Sequence, residues 1–132
     1  MAVIAVFNQK GGVGKTTTCL NVAGVLAKAK RHPIVIDMDP QGHLSLACGL
    51  KNGTSNDLNM AAFFEQKIPL AKLLRDTPAG WQIIASSLEL AKIDATYGAD
   101  PKAATRLKQG LQEELTLTGA PILIDCCPMM GV

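Results

Sequence analysis

Apolar residues gather into four short, unbroken runs: residues 2–7 (AVIAVF), 33–37 (PIVID), 81–85 (WQIIA) and 121–125 (PILID). Runs of this length without polar alternation predict strands covered on both faces, as in a parallel sheet. Between the first two, Leu20, Ala23, Leu26 and Ala27 recur at helical spacing and predict a helix from Thr16 to about Lys30. Lys28, Lys30 and Arg31 at its end suit the negative pole of the helix dipole. Further on, the pattern predicts a short helix over 42–50, a turn-rich stretch over 51–56, and a helical segment over 58–74 interrupted near Pro69. Residues 88–93 read as helical, and Asp100 before Pro101 marks a helix start that carries to about Leu117. Strands alternating with helices predict a three-layer α/β fold with a mostly parallel sheet.

The 132 residues suit one domain, taken as 1–132, and the 48% hydrophobic content supplies a core while excluding disorder. A net charge of +2 gives no whole-chain field toward nucleic acid or membrane. No run approaches the roughly 18 apolar residues of a membrane-spanning helix, and the first residues lack signal-peptide features. The four cysteines, Cys19, Cys48, Cys126 and Cys127, form neither a CxxC pair nor a disulfide framework, which points to reduced thiols and a cytoplasmic setting. Cys126 and Cys127 read as small buried residues.

The chemistry concentrates between the first strand and its helix, in Gln9-Lys-Gly-Gly-Val-Gly-Lys-Thr16. Phosphate groups need a ring of backbone N–H donors, and residues without a bulky Cβ let the backbone come close. Gly11, Gly12 and Gly14 supply that freedom, with Val13 between them, and the helix start adds its own N–H groups. Lys15 is placed to neutralise the β- and γ-phosphates, Thr16 to ligate Mg²⁺, and Thr17 completes the nucleotide-contacting stretch. Against the general pattern GxxxxGK[ST], Gln9 replaces the first glycine and an extra lysine, Lys10, follows it. Two lysines in so tight a loop would repel one another without an anion. The second run ends in Asp37-Met-Asp-Pro-Gln-Gly42, and the fourth in Asp125. Acids at the carboxyl ends of parallel strands sit where open α/β sheets bind ligands. An apolar strand closing on a carboxylate also needs a partner for that charge. His43 reads as a surface or capping residue.

KGGVGKTT resembles the deviant Walker A signature of the ParA/MinD superfamily of P-loop ATPases, and DMDPQG is similar to the stretch that marks its ParA branch, the plasmid and chromosome partition ATPases. Residues 122–125 look like a Walker B strand, although Cys127 stands where the family has a proline before Pro128. The resemblance implies ATP/ADP and Mg²⁺ as cofactors and slow ATP hydrolysis that works as a dimerisation switch. It assigns Lys10 to the partner's phosphates in a nucleotide-sandwich homodimer and Asp39 to orienting the attacking water. It gives Asp125 to Mg²⁺, and Asp37 to the Mg²⁺ shell or the loop. It further implies a ParB-like activator, nonspecific DNA binding, and a nucleoid-associated place in the cytoplasm.

The similarity covers essentially the whole chain, but the family is normally well over 200 residues long, so the C-terminal part of its fold is expected to be missing after the Walker B strand. The few residues before the phosphate loop resemble the shorter ParA type, for which no preceding helix-turn-helix is expected. Two other readings stay open: an ATP-dependent amidoligase of the cobyrinic acid a,c-diamide synthase kind, and a nucleotide-binding remnant without catalysis.

Overall fold

The computed structural model describes residues 3–7, 13–39, 42–48, 59–66, 68–78, 80–87, 101–115 and 119–126, with the backbone alone at 3–7, 13–16, 43, 66, 101–104, 114 and 126. The elements run β1 (Val3–Phe7), α1 (Val13–Lys28), β2 (Ile34–Asp37), α2 (His43–Ala47), α3 (Met60–Gln66), a 3₁₀ turn (Leu70–Leu73), β3 (Arg75–Asp76), β4 (Gln82–Ile84), α4 (Pro101–Gly110), a π turn (Leu111–Leu115) and β5 (Ile122–Cys126). The expected stretches over 51–56 and 88–93 lie outside the described residues.

All four apolar runs form strands of one sheet, in the order β1-β5-β2-β4-β3. The pairs β1·β5, β5·β2 and β2·β4 are parallel. The short β3 joins antiparallel to β4 and adds a fifth strand that no apolar run announced. It exists because its polar sequence forms a hairpin with β4, closed by the Thr77 hydroxyl donating to the Trp81 carbonyl at 2.8 Å. Gly80, at φ 100, supplies the left-handed turn residue that this closure requires. The order of the strands also departs from the order of the chain, since β5 lies between β1 and β2.

Residue parity divides the core into the two faces of the sheet. Ile34, Ile36, Ile84, Ile122 and Ile124 pack with α3, the 3₁₀ turn and the π turn through Phe63, Phe64, Leu70, Leu73 and Leu115. Their neighbours Val35, Ile83 and Leu123 face the other way, onto Cys19 and Ala23 of α1 and Leu44 of α2. Successive side chains of a strand point to opposite faces, so covering both requires a helical layer on each. Cys19 and Cys48 are buried thiols within this second cluster.

Helix boundaries follow local chemistry. α1 begins at Val13, three residues before the expected start, so the last part of the glycine loop is already its first turn. At its other end Lys30 adopts φ 61, Arg31 N–H donates to the Leu26 carbonyl at 3.0 Å and Lys30 N–H to Ala27 at 3.0 Å. This is a Schellman closure made without glycine, and the exposed Lys28, Lys30 and Arg31 lie at the dipole's negative end. Asn59 caps α3 by accepting from the Ala62 N–H at 3.2 Å, and Pro69 separates α3 from the 3₁₀ turn as expected. α4 starts at Pro101 and gives way to a π turn at Leu111. A Cβ on Gly110 would stand 2.9 Å from Leu70 Cδ1, so glycine permits this close approach. The Arg106 guanidinium donates to the carbonyls of Phe63 (2.6 Å) and Phe64 (3.1 Å) and lies over the Phe63 ring at 4.8 Å. It thereby ties α4 to the carboxyl end of α3. Among the described residues, no helix is long and apolar enough to cross a membrane.

Candidate functional site

The carboxyl ends of β1, β5 and β2 lie side by side in the sheet that α1 packs against. β1 pairs Val6 with Asp125, and β2 pairs Asp37 with Asp125, so both acids stand level on adjoining strands. By parity Asp37 follows Val35 and Asp125 follows Leu123, which places both on the sheet face that carries α1. Each acid is 0 % exposed. Two carboxylates packed side by side without solvent call for a compensating cation or for shared protons.

Asp37 meets this demand partly through the loop that follows it. Its Oδ1 accepts from the Asp39 N–H at 3.0 Å, while its Oδ2 accepts from the Ser45 N–H at 2.9 Å and the Ser45 hydroxyl at 2.6 Å. Burial nevertheless pushes its pKa from 3.8 up to about 6; these hydrogen bonds oppose the rise, and the Asp125 charge adds to it. The Asp39 carbonyl closes the turn by accepting from the Gly42 N–H at 2.9 Å. Gly42 adopts φ 67 as it enters α2, which explains the glycine at the end of DMDPQG. Asp39 itself is half-buried just beyond β2.

The remaining sequence-predicted site residues divide cleanly. Val13, Gly14, Lys15 and Thr16 form the first turn of α1, where a helix leaves backbone N–H groups unpaired by its own carbonyls. Thr17 is exposed on the same helix. Lys10, Gly11 and Gly12 lie outside the described residues. Ser45 and Ser86 belong to the site's hydrogen-bond network but had no assigned role. Ser86 carried one usable signal, its place directly after a buried parallel strand, where ligand-facing residues collect.

A protein-family model described as an AAA domain (AAA_31) matches residues 1–132. The chain belongs to this family. It is a homologue of the ParA/Soj partition ATPases: 33% identical to the chromosome partitioning protein ParA of Myxococcus xanthus, over 98% of this chain and 46% of that protein. It is 35% identical to the chromosome-partitioning ATPase Soj of Treponema pallidum, over 95% of this chain and 48% of that protein. Among solved structures, cobyrinic acid a,c-diamide synthase from Mycobacterium smegmatis, with bound ATP analog and magnesium, superposes with a TM-score of 0.86. That match is 27% identical and covers 99% of this chain and 54% of the other. This AAA-domain chain therefore has the ParA-like P-loop fold and spans about half the length of the curated relatives it matches.

The raised pKa of Asp37 makes a stability prediction for this family member. The unfolded chain releases the proton near 3.8 and the folded chain near 6, so folding is favoured by this group most below pH 3.8. The contribution is lost as pH rises through about 6, and the two-unit difference is worth about 3 kcal/mol. In magnesium-free buffer, the stability of the wild type relative to Asp37→Asn is expected to fall by that order between pH 4 and pH 7. Urea unfolding of both proteins across this range measures it; parallel curves would refute the assignment.

Proposed function

We propose that this chain binds ATP with Mg²⁺, hydrolyses it slowly, and uses the nucleotide as a dimerisation switch in plasmid or chromosome segregation. The observation that carries the reading is the level pair of buried acids, Asp37 and Asp125, on the sheet face that α1 covers. Its support from relatives is the ParA and Soj similarity along the chain. In this reading the backbone of Gly11, Gly12, Val13 and Gly14 cradles the phosphates, and Lys15 with Thr17 completes the nucleotide contacts. Lys10 reaches the partner's nucleotide across the dimer, placing its positive charge where the transition state concentrates negative charge.

The donor set suits magnesium, a hard cation that takes oxygen ligands and retains water. Among the described residues no group of three or more His, Cys, Asp and Glu gathers, so the protein offers a carboxylate pair and hydroxyls rather than a closed cage. Asp37 spends its oxygens on Asp39 and Ser45, which makes it the organiser of the loop. Thr16 and Asp125 would then hold the ion, directly or through water. Magnesium bound there would offset phosphate charge during transfer. Asp39, presented just past β2, orients the attacking water toward the γ-phosphate. A ParB-like activator, nonspecific DNA binding and a cytoplasmic, nucleoid-associated location complete the proposal.

Titration calorimetry of the chain with MgATP, followed by phosphate release with and without duplex DNA, tests this reading. Heat on titration and slow turnover, with ATP-dependent dimers by sedimentation, are expected. Absence of heat would reduce the chain to a remnant without nucleotide function. The TM-score of 0.86 to cobyrinic acid a,c-diamide synthase favours one second reading, an ATP-dependent amidoligase. ADP release that requires a carboxylate substrate and an amide-nitrogen donor, and ignores DNA, would select it.

A further inference from the structure

Four hydrogen bonds stitch the ends of β2 and β4 to the start of α2. The Ser45 hydroxyl donates to Asp37 Oδ2 at 2.6 Å and accepts from the Ser86 N–H at 3.1 Å. The Ser86 hydroxyl donates to the carbonyl of Asp39 in a short contact. The Asp39 N–H donates in turn to Asp37 Oδ1 at 3.0 Å. The peptide groups on both sides of Asp39 are thus held, one through Asp37 and Ser45, the other by Ser86. Ser45 is buried and Ser86 half-buried, 41 positions apart in the chain, so only the tertiary fold joins them.

Neither hydroxyl needs to touch nucleotide to matter. A side chain that orients a water must be fixed to within a fraction of an ångström, and the backbone beneath it sets that position. We propose that Ser45 and Ser86 are positioning residues for Asp39, acting on the hydrolytic step through Asp37 and the Asp39 carbonyl; this rests on the ATPase reading above. Their effect is on placement of the water-orienting carboxylate, not on holding the phosphates, because Ser45 bonds to Asp37 and Ser86, which follows β4, to the Asp39 carbonyl, while β1 and β5 lie on the other side of β2.

The experiment compares wild type, Ser45→Ala, Ser45→Thr and Ser86→Ala in the full chain. Loss of such supporting partners typically costs about 10- to 100-fold, and Ser45→Ala is expected toward the upper end. Ser86→Ala is expected toward the lower end, since the Gly42 N–H still holds the Asp39 carbonyl. In both, kcat falls while the calorimetric Kd for MgATP stays within about twofold, the split expected when only the chemical step is touched. Ser45→Thr, which keeps the hydroxyl, restores kcat. Should Ser45→Ala fail to fold, the half-buried Ser86→Ala carries the test. A second readout is independent of turnover: amide hydrogen exchange at Asp39 accelerates in Ser86→Ala by about tenfold while the α1 amides are unchanged. Unaltered kcat in both alanine variants of an active wild type overturns the inference, as does a kcat loss matched by loss of MgATP binding. If the wild type does not hydrolyse ATP, the ATPase reading fails on its own, and the Asp39 exchange rate decides whether the serines hold this turn.

Discussion

Lys15→Ala is expected to weaken MgATP binding by about a hundredfold or more, because removing one partner of a desolvated charge contact costs about 3 kcal/mol or above. The size follows from the local charge balance. The carboxyl ends of β5 and β2 place Asp125 and Asp37 side by side with no exposure to water, and a triphosphate would bring further negative charge to that edge. Lys15 occupies the first turn of α1, and β1, the strand before that helix, ends beside Asp125 through the Phe7–Cys126 and Val6–Asp125 pairs. Backbone N–H groups supply partial charges only, and a magnesium ion would compete with them for phosphate oxygens. Lys15 is the cation of this turn, and the loop's other lysine, Lys10, is assigned to the partner's nucleotide in the proposed dimer, so the loss is not made good within the subunit. Calorimetry measures the change, with a melting curve to show that the variant is folded. Undiminished affinity in a folded Lys15→Ala protein would mean that phosphates bind elsewhere.

Asp39→Ala is expected to act on the other half of the reaction: turnover falls by about 10²- to 10⁴-fold, the range for removing a positioned proton-accepting or water-orienting group, while MgATP affinity is kept. Asp39 is tethered by its backbone at three points, to Asp37 Oδ1, to the Gly42 N–H and to the Ser86 hydroxyl, and its own carboxylate is not needed for any of them. Removing the side chain therefore leaves these three backbone tethers in place. Single-turnover phosphate release compared with nucleotide affinity gives the split. Equal turnover in the variant and the wild type would remove Asp39 from the chemistry of the proposed ATPase.

How far the site was legible beforehand depended on the range of the interactions that make it. DMDPQG was read for its acids, and the structure adds a turn made for a local reason: Gly42 reaches φ 67, which glycine tolerates, and returns its N–H to Asp39 three residues back. The glycine loop announced a helix start, and α1 begins within it at Val13. The pairing of Asp37 with Asp125, by contrast, depends on β5 entering between β1 and β2, and strand order is set by contacts between residues some ninety positions apart. The link between Ser45 and Ser86 was hidden for the same reason: Ser86 had only its place after a buried strand to mark it, and Ser45 had nothing until the fold brings the two together. β3 was missed because Arg75 and Asp76 carry no apolar signal and pair through their backbones at the sheet edge.

By itself, then, the order of residues determined the elements and the loop chemistry: four apolar runs long enough for strands but too short for buried helices, helical spacing between them, and glycines and lysines where an anion would sit. These are properties of neighbours in the chain, and propensity, periodicity and turn geometry act over a few residues. The tertiary structure alone decided which strand lies beside which, that two acids share one buried edge, and that Asp37 holds its proton to about pH 6. Desolvation and the field of a second carboxylate exist only after distant segments have excluded water from between them.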